Sequence, residues 1–216
     1  MDDFKKVKKI VKNQNRWRKK ECLNLIASEN LLSPLAEKFL VSDFVGRYNE
    51  HGIKDSEFEE HYQGVKYSSE IEKICIKIFS QKFKTPFVDV RPISGAIANL
   101  AVYRAILKPG DTFLAPGLTF GAHVSSTEYG IAGVCGLKSI SMPFDEKKIR
   151  MDVKGTIKLI KKIKPKLIML GRSMFLFPEP IREIRKHASA IIVYDAAHVF
   201  GLIYAGFFQN PFKEGA

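Results

Sequence analysis

The chain has 216 residues, is 45% hydrophobic and 27% charged, and carries a net charge of +12. That size and composition fit a packed globular protein, argue against a disordered or fibrous one, and make a disulfide or metal staple unnecessary for its size. No apolar run reaches the roughly 18 residues of a membrane span, and MDDFKKVKKIVKNQ lacks the apolar core of a signal peptide, so a cytoplasmic location is expected.

Residues 2–20 read as a basic amphipathic helix, with Phe4, Val7, Ile10 and Val11 at helical spacing. Residues 21–67 read as irregular, with a short helix near 34–42. Ser68 or Ser69 is expected to cap a helix, SSEIEKICIKIFSQKF, whose face of Ile71, Ile74, Cys75, Ile78 and Phe79 should pack in the core. PFVDVRPI reads as a strand, SGAIANLAVYRAIL as a helix ended by the KPGD turn, and DTFLAPG as a strand running into a loop. A strand is expected over 137–142, a Lys-rich helix over 152–164, a strand at KLIML, a helix at EPIREIRKHA and a strand at SAIIVYD. Apolar strands alternating with helices imply an α/β fold, a mostly parallel sheet covered on both faces. The expected division is an N-terminal helix and irregular arm over 1–67, then an α/β domain over 68–216.

The charge is concentrated in residues 1–20 (9 basic, 2 acidic) and 147–166 (9 basic, 1 acidic). A solvated lysine face explains both stretches. Their few aromatics and lack of Gly-Arg runs argue against a nucleic-acid surface. Cys22, Cys75 and Cys135 form neither a metal-ligand spacing nor a disulfide framework.

Four segments carry candidate chemistry. In PISGAIAN, Ser94 and Gly95 stand between a strand and a helix, where unpaired N–H groups can bind phosphate, although an ordinary Ser cap explains them as well. In AIIVYDAAHVFG, a strand expected to be buried on both faces delivers Asp195 at its C-terminal end, with His198 three residues on; such ends are where ligands bind in open α/β sheets. In LTFGAHV, Phe120 and His123 can reach the same crevice. Ser28 in NLIASENLLSP, Tyr48 and Glu50 in GRYNEHG, and Tyr62 add polar groups, of which a Glu can serve as general acid or base.

LNLIASEN, RYNE, RPISGAIANLAVYRAILKPGD, PKLIMLGRS and VYDAAHVFGLIYAGFFQNP, in this order, resemble the serine hydroxymethyltransferase family over about residues 15–214. These are pyridoxal 5′-phosphate (PLP) enzymes of the aspartate-aminotransferase-like fold. The resemblance implies that Ser94 and Gly95 form the phosphate turn and that Asp195 pairs with the pyridine nitrogen. It implies that His198 and Ser173 lie near the ring's 3-hydroxyl, that Phe120 stands where the family has a ring-stacking His, and that Ser28 contacts the amino-acid carboxylate. It further implies that Tyr48, Glu50 and Tyr62 serve the site of a partner subunit in a homodimer, Glu50 in proton transfer. The reaction implied interconverts serine and glycine, with a one-carbon unit passing to a tetrahydrofolate- or methanopterin-type carrier.

The departures are Phe120, Ala96 in place of a common Ser, the acidic stretch HGIKDSEFEEHYQG, and the Schiff-base lysine. Lys213 is the only lysine after Asp195 and belongs to a turn, so the chain is expected to stop before the family's Thr-His-Lys segment and C-terminal domain, and to be inactive alone. The alternatives are another PLP enzyme of the same fold and a non-catalytic binding protein that keeps it.

Overall fold

The computed structural model describes residues 2–26, 28–54, 57–60 and 63–216. They form two compact units, Met1–Leu31 and Leu32–Ala216. In the first, α1 (Asp2–Arg16) runs into a π-helical turn over Trp17–Glu21. Arg16 closes on Glu21 at 2.5 Å, and Arg18 pairs with Glu29. The stripe of Phe4, Val7, Ile10 and Val11 is more than half exposed.

The second unit opens with α2 (Pro34–Leu40), capped by Ser33 and begun by proline at its first position. β1 (His51–Lys54) and β2 (Glu57–Glu60) form an antiparallel hairpin. It falls inside the segment expected to be irregular, where its charge-rich sequence gave no apolar alternation to read. α3 (Lys66–Phe83) starts before the expected caps, and the Ser68 hydroxyl bonds Asn49 Oδ1 and Val65 O. The face of α3 expected in the core is largely open: Ile71, Ile74 and Ile78 are 45–56% exposed, and Cys75 is half-buried. Only Phe79 and Phe83, at its end, join a cluster with Val199 and Ile203.

The expected strand at PFVDVRPI is absent. Arg91 folds back on Asp89, its backbone N–H and guanidinium donating to the carboxylate at 2.7–3.0 Å. A local side-chain ring of this kind competes with a ladder. Phe87 and Ile93 are left 87% and 92% exposed. The Arg91 bonds hold the Asp89 carboxyl down at about 2.

From there the alternation is as expected. In order come α4 (Gly95–Ile106), β3 (Thr112–Ala115), α5 (Ile131–Val134), β4 (Lys138–Ser141), the small β5 (Phe144–Asp145) and β6 (Arg150–Met151) pair, and α6 (Val153–Ile163). They are followed by β7 (Leu167–Leu170), α7 (Ile181–Arg185), β8 (Ile191–Tyr194), α8 (Phe200–Ala205) and α9 (Pro211–Glu214). The main sheet has the order β4-β3-β7-β8, every pair parallel.

Period-two alternation divides its residues between two cores. Phe113, Ala115, Leu167 and Met169 pack with Tyr103, Ala132 and Leu137 on the side of α4 and α5. Leu114, Ile168, Leu170 and Ile192 pack with Ile160, Ile181 and Ile184 on the side of α6 and α7. β7 is buried at every position, whereas β8, at one edge of the sheet as β4 is at the other among the described residues, leaves Ile191 half exposed, which corrects the expectation of burial on both faces. α7 is shorter than its helical sequence suggested. Arg185 turns back to donate to Ala190 O and Gly215 O, and the chain leaves the helix at Lys186.

α6 rests on its cap. Asp152 Oδ1 accepts from Gly155 N–H at 3.0 Å, and Asp152 O accepts from Thr156 N–H at 2.9 Å. Asp152→Ala is expected to cost about 1 kcal/mol, read as a lowered urea midpoint with an unchanged slope.

Candidate active site

The C-terminal ends of β3, β7 and β8 carry the loops that gather the polar residues of the second unit. β8 delivers Asp195, whose N–H continues the ladder to Leu170 O at 2.8 Å. Gly171, at φ +106°, lets the chain leave β7 against this carboxylate-bearing residue. Asp195 Oδ2 accepts from Asn99 Nδ2 at 2.9 Å, and Oδ1 accepts from Ala197 N–H at 3.1 Å. Each oxygen keeps a lone pair, so the carboxylate can still receive a charged N–H from a ligand.

Asn99 lies one turn into α4, and the N-terminus of that helix points the same way. Ser94 is its cap, accepting from Ile97 N–H at 3.2 Å. The cap uses an oxygen lone pair and leaves the hydroxyl hydrogen to donate. The N–H groups of Gly95 and Ala96 sit in the open first turn, which has no carbonyl partner within the helix. A Cβ at Gly95 would touch only Ala197 Cβ, at 3.7 Å, so this end of α4 is close to the loop after β8 and otherwise open.

His198, in that loop, is half-buried, and its Nδ1 is buried without a hydrogen-bond partner among the described residues. An orphaned buried ring nitrogen is costly unless a ligand or water completes it. The His123 ring lies 6.4 Å from the His198 ring. Tyr103, fully buried and 5.1 Å from Phe113, also has a hydroxyl without a hydrogen-bond partner among the described residues; burial and then the charge of Asp195 push its ionisation far up.

The loop after β3 carries Phe120 in line with the loop after β7. Arg172 Nη1 donates to Phe120 O at 2.7 Å, and Ser173 N–H to Gly121 O at 2.7 Å. The Phe120 ring stacks on Phe144 (4.8 Å, 14°), and the Arg172 guanidinium lies over the same Phe144 ring at 5.0 Å. Arg172 Nε donates to Glu179 at 2.7 Å in an almost fully buried ion pair. Burial pushes the Glu179 carboxyl up, opposed by the Arg172 charge.

Ser94, Gly95, Phe120, Ser173, Asp195 and His198 are therefore gathered at one end of the sheet. Tyr48 and Glu50 are exposed on a segment that Asn49 ties to α3 through Glu72 and Ser68. The hydrogen bonds described for Asp195 are with Asn99 and Ala197. Ser28 is exposed in the first unit, and Tyr62 lies outside the described residues.

Sequence reasoning assigned no role to Asn99, Ser125 and Arg172. Asn99 had a readable signal, a lone polar side chain on the apolar face of α4. Arg172 after an apolar strand had a weaker one. The short polar loop around Ser125 had none.

The donor set is compatible with PLP: a carboxylate with free acceptor capacity, an open helix N-terminus and a histidine nitrogen without a hydrogen-bond partner among the described residues.

Comparison with known proteins agrees. The family model described as serine hydroxymethyltransferase matches residues 1–216. The chain is 46% identical over 217 residues to serine hydroxymethyltransferase of Saccharolobus solfataricus, with 99% of this chain and 49% of that protein covered. It is 43% identical to those of Sulfolobus acidocaldarius (100% and 49% covered) and Metallosphaera sedula (99% and 49%). The chain spans about half the length of the curated relatives it matches. Among the described residues no helix is long and apolar enough to cross a membrane, and no cluster of three or more His, Cys, Asp or Glu could hold a metal ion. With its sheet, its gathered loops and a family match over its whole length, the chain belongs to the serine hydroxymethyltransferase family.

Proposed function

We propose that this chain forms the N-terminal, cofactor-holding part of a PLP-dependent hydroxymethyltransferase that interconverts serine and glycine with a tetrahydropterin-type one-carbon carrier. The observation that carries the proposal is the position of Asp195. It stands at the C-terminal end of a parallel strand and is held by Asn99 from the helix whose N-terminus bears Ser94 and Gly95. When bound, PLP supplies a protonated pyridine ring that withdraws electrons from the substrate α-carbon.

The chain's own residues bind and orient that ring. Asp195 keeps the ring nitrogen protonated by pairing with it. The Ser94 hydroxyl and the first-turn N–H groups of α4 hold the phosphate, helped by the helix dipole. His198 and Ser173 would hold the 3-hydroxyl side of the ring, and Phe120 would supply an aromatic face to stack on it. Tyr48, Glu50 and Tyr62 act in the site of a partner subunit of a homodimer, where Glu50 moves the proton of the serine hydroxymethyl group. Cofactor binding is the role of these 216 residues, and their one lysine after Asp195, Lys213, lies in the short helix Pro211–Glu214.

Equilibrium dialysis against PLP tests it. The chain is expected to retain PLP, and Asp195→Asn to weaken retention about tenfold or more, since an amide cannot hold a positively charged ring nitrogen as an anion does. Equal retention by chain and variant, or none by either, would refute the reading.

A further inference from the structure

We propose that Asn99 is the positioning residue that aims the Asp195 carboxylate, and that Ser125 and His123 set which way the Asn99 amide faces. The inference rests on the reading above, in which Asp195 meets the ring nitrogen of PLP. Asn99 is 5% exposed, in the second turn of a helix otherwise rich in apolar residues. Its Nδ2 donates twice, to Asp195 Oδ2 at 2.9 Å and to Ser125 Oγ at 3.0 Å. Turned the other way, the amide would set its carbonyl oxygen against the carboxylate, acceptor to acceptor.

The groups behind Asn99 forbid that flip. Ser125, 2% exposed, donates its backbone N–H to His123 Nδ1 at 3.2 Å. Nδ1 is therefore the acceptor nitrogen, and this pattern of donors assigns the neutral His123 ring its proton on Nε2. The Ser125 hydroxyl, 2.8 Å from the same Nδ1, then gives its hydrogen to the ring. Its oxygen is left to accept, and the available donor is Asn99 Nδ2. Hydrogen bonds thus run in one direction, from His123 back through Ser125 to an amide with both hydrogens committed. The result at Asp195 is a carboxylate fixed by one donor on each oxygen. One donor comes from α4 and the other from its own loop, and each oxygen keeps a lone pair that a ligand can use. A buried polar network acts as a unit only when every member is satisfied, and each hydrogen bond described here has a donor and an acceptor.

The test uses PLP labelled with nitrogen-15 at the ring, bound to the full chain, with the ring-nitrogen resonance and PLP affinity measured together. Asn99→Leu is expected to move the resonance toward its deprotonated position and to weaken binding about tenfold, and Ser125→Ala to do both more weakly, about threefold in affinity. If Asn99→Leu does not fold, Ser125→Ala carries the comparison. A resonance unmoved in the folded variants overturns the inference, including where affinity falls, because a merely structural role lowers affinity without changing ring protonation. Asp195→Asn separates the two levels. If it moves the resonance while the Asn99 and Ser125 variants do not, only this inference fails. If it leaves the resonance in place, or if the chain binds no PLP, the reading of Asp195 fails and this inference with it.

Discussion

Gly171→Ala is expected to cost about 3–5 kcal/mol of stability, from backbone strain and overpacking combined. At φ +106° a side chain is strained whatever the surrounding space. Here the space is also taken: an added Cβ would stand 2.2 Å from Asp195 O and 3.0 Å from Asp195 N, both backbone atoms that no rotamer change can move. Either β7 and β8 part at their last hydrogen bond, Asp195 N–H to Leu170 O, or Gly171 leaves its conformation. Both displace Asp195 from Asn99. Urea unfolding should show a lowered midpoint, and equilibrium dialysis should show weakened PLP retention. A variant with wild-type stability would mean that the two strands separate at little cost.

Arg172→Met is expected to destabilise the chain by about 3–5 kcal/mol at neutral pH, because it strands the buried Glu179 charge. Arg172 and Glu179 are 8% and 4% exposed, so water cannot replace the lost partner. The pH dependence has a definite sign. Burial raises the folded-state ionisation point of Glu179 above its ordinary 4.5, and the Arg172 charge opposes that rise. A raised carboxyl binds its proton more tightly folded than unfolded. Its favourable share is therefore full below about 4.5 and is lost as pH climbs through the folded value. Without Arg172 the folded value climbs further, so the variant should recover part of its deficit as pH falls from 7 toward 5. A deficit that stays constant over that range would show that Glu179 is solvated in the variant. The same substitution releases Phe120 O and uncovers the Phe144 ring, so the Phe120 loop should exchange its amide hydrogens faster.

The elements that the sequence made legible bury a pattern of their own. β7 is apolar at every position because helices cover both faces of the sheet, and the sequence KLIML shows that directly. α6 announces itself through Asp152 and through isoleucines at helical spacing. Ser94 and Asp195 were placed at element ends, and the structure puts them there, one capping α4 and the other following β8. The failures have a common cause. PFVDVRPI has strand composition, but Asp89 and Arg91 satisfy each other locally, and among the described residues no neighbouring strand pairs with it. The isoleucines of α3 have core spacing, yet the described residues leave them exposed. Periodicity reports that a face is apolar and says nothing of what covers it.

By itself, then, the amino-acid order determined the α/β alternation, the parallel sheet, the family, and the chemical types gathered at the strand ends. Each of these depends on residues within a turn or two of one another, or on motifs read in order. Only the tertiary structure decided which groups touch. Asn99 meets Asp195 across 96 residues and Ser125 across 26, and Arg172 meets Phe120 across 52. Such pairs are joined by the packing of helix on sheet, where a hydrogen bond depends on angles and on fractions of an ångström. That precision belongs to the packed layers as a whole, and no local stretch of sequence carries it.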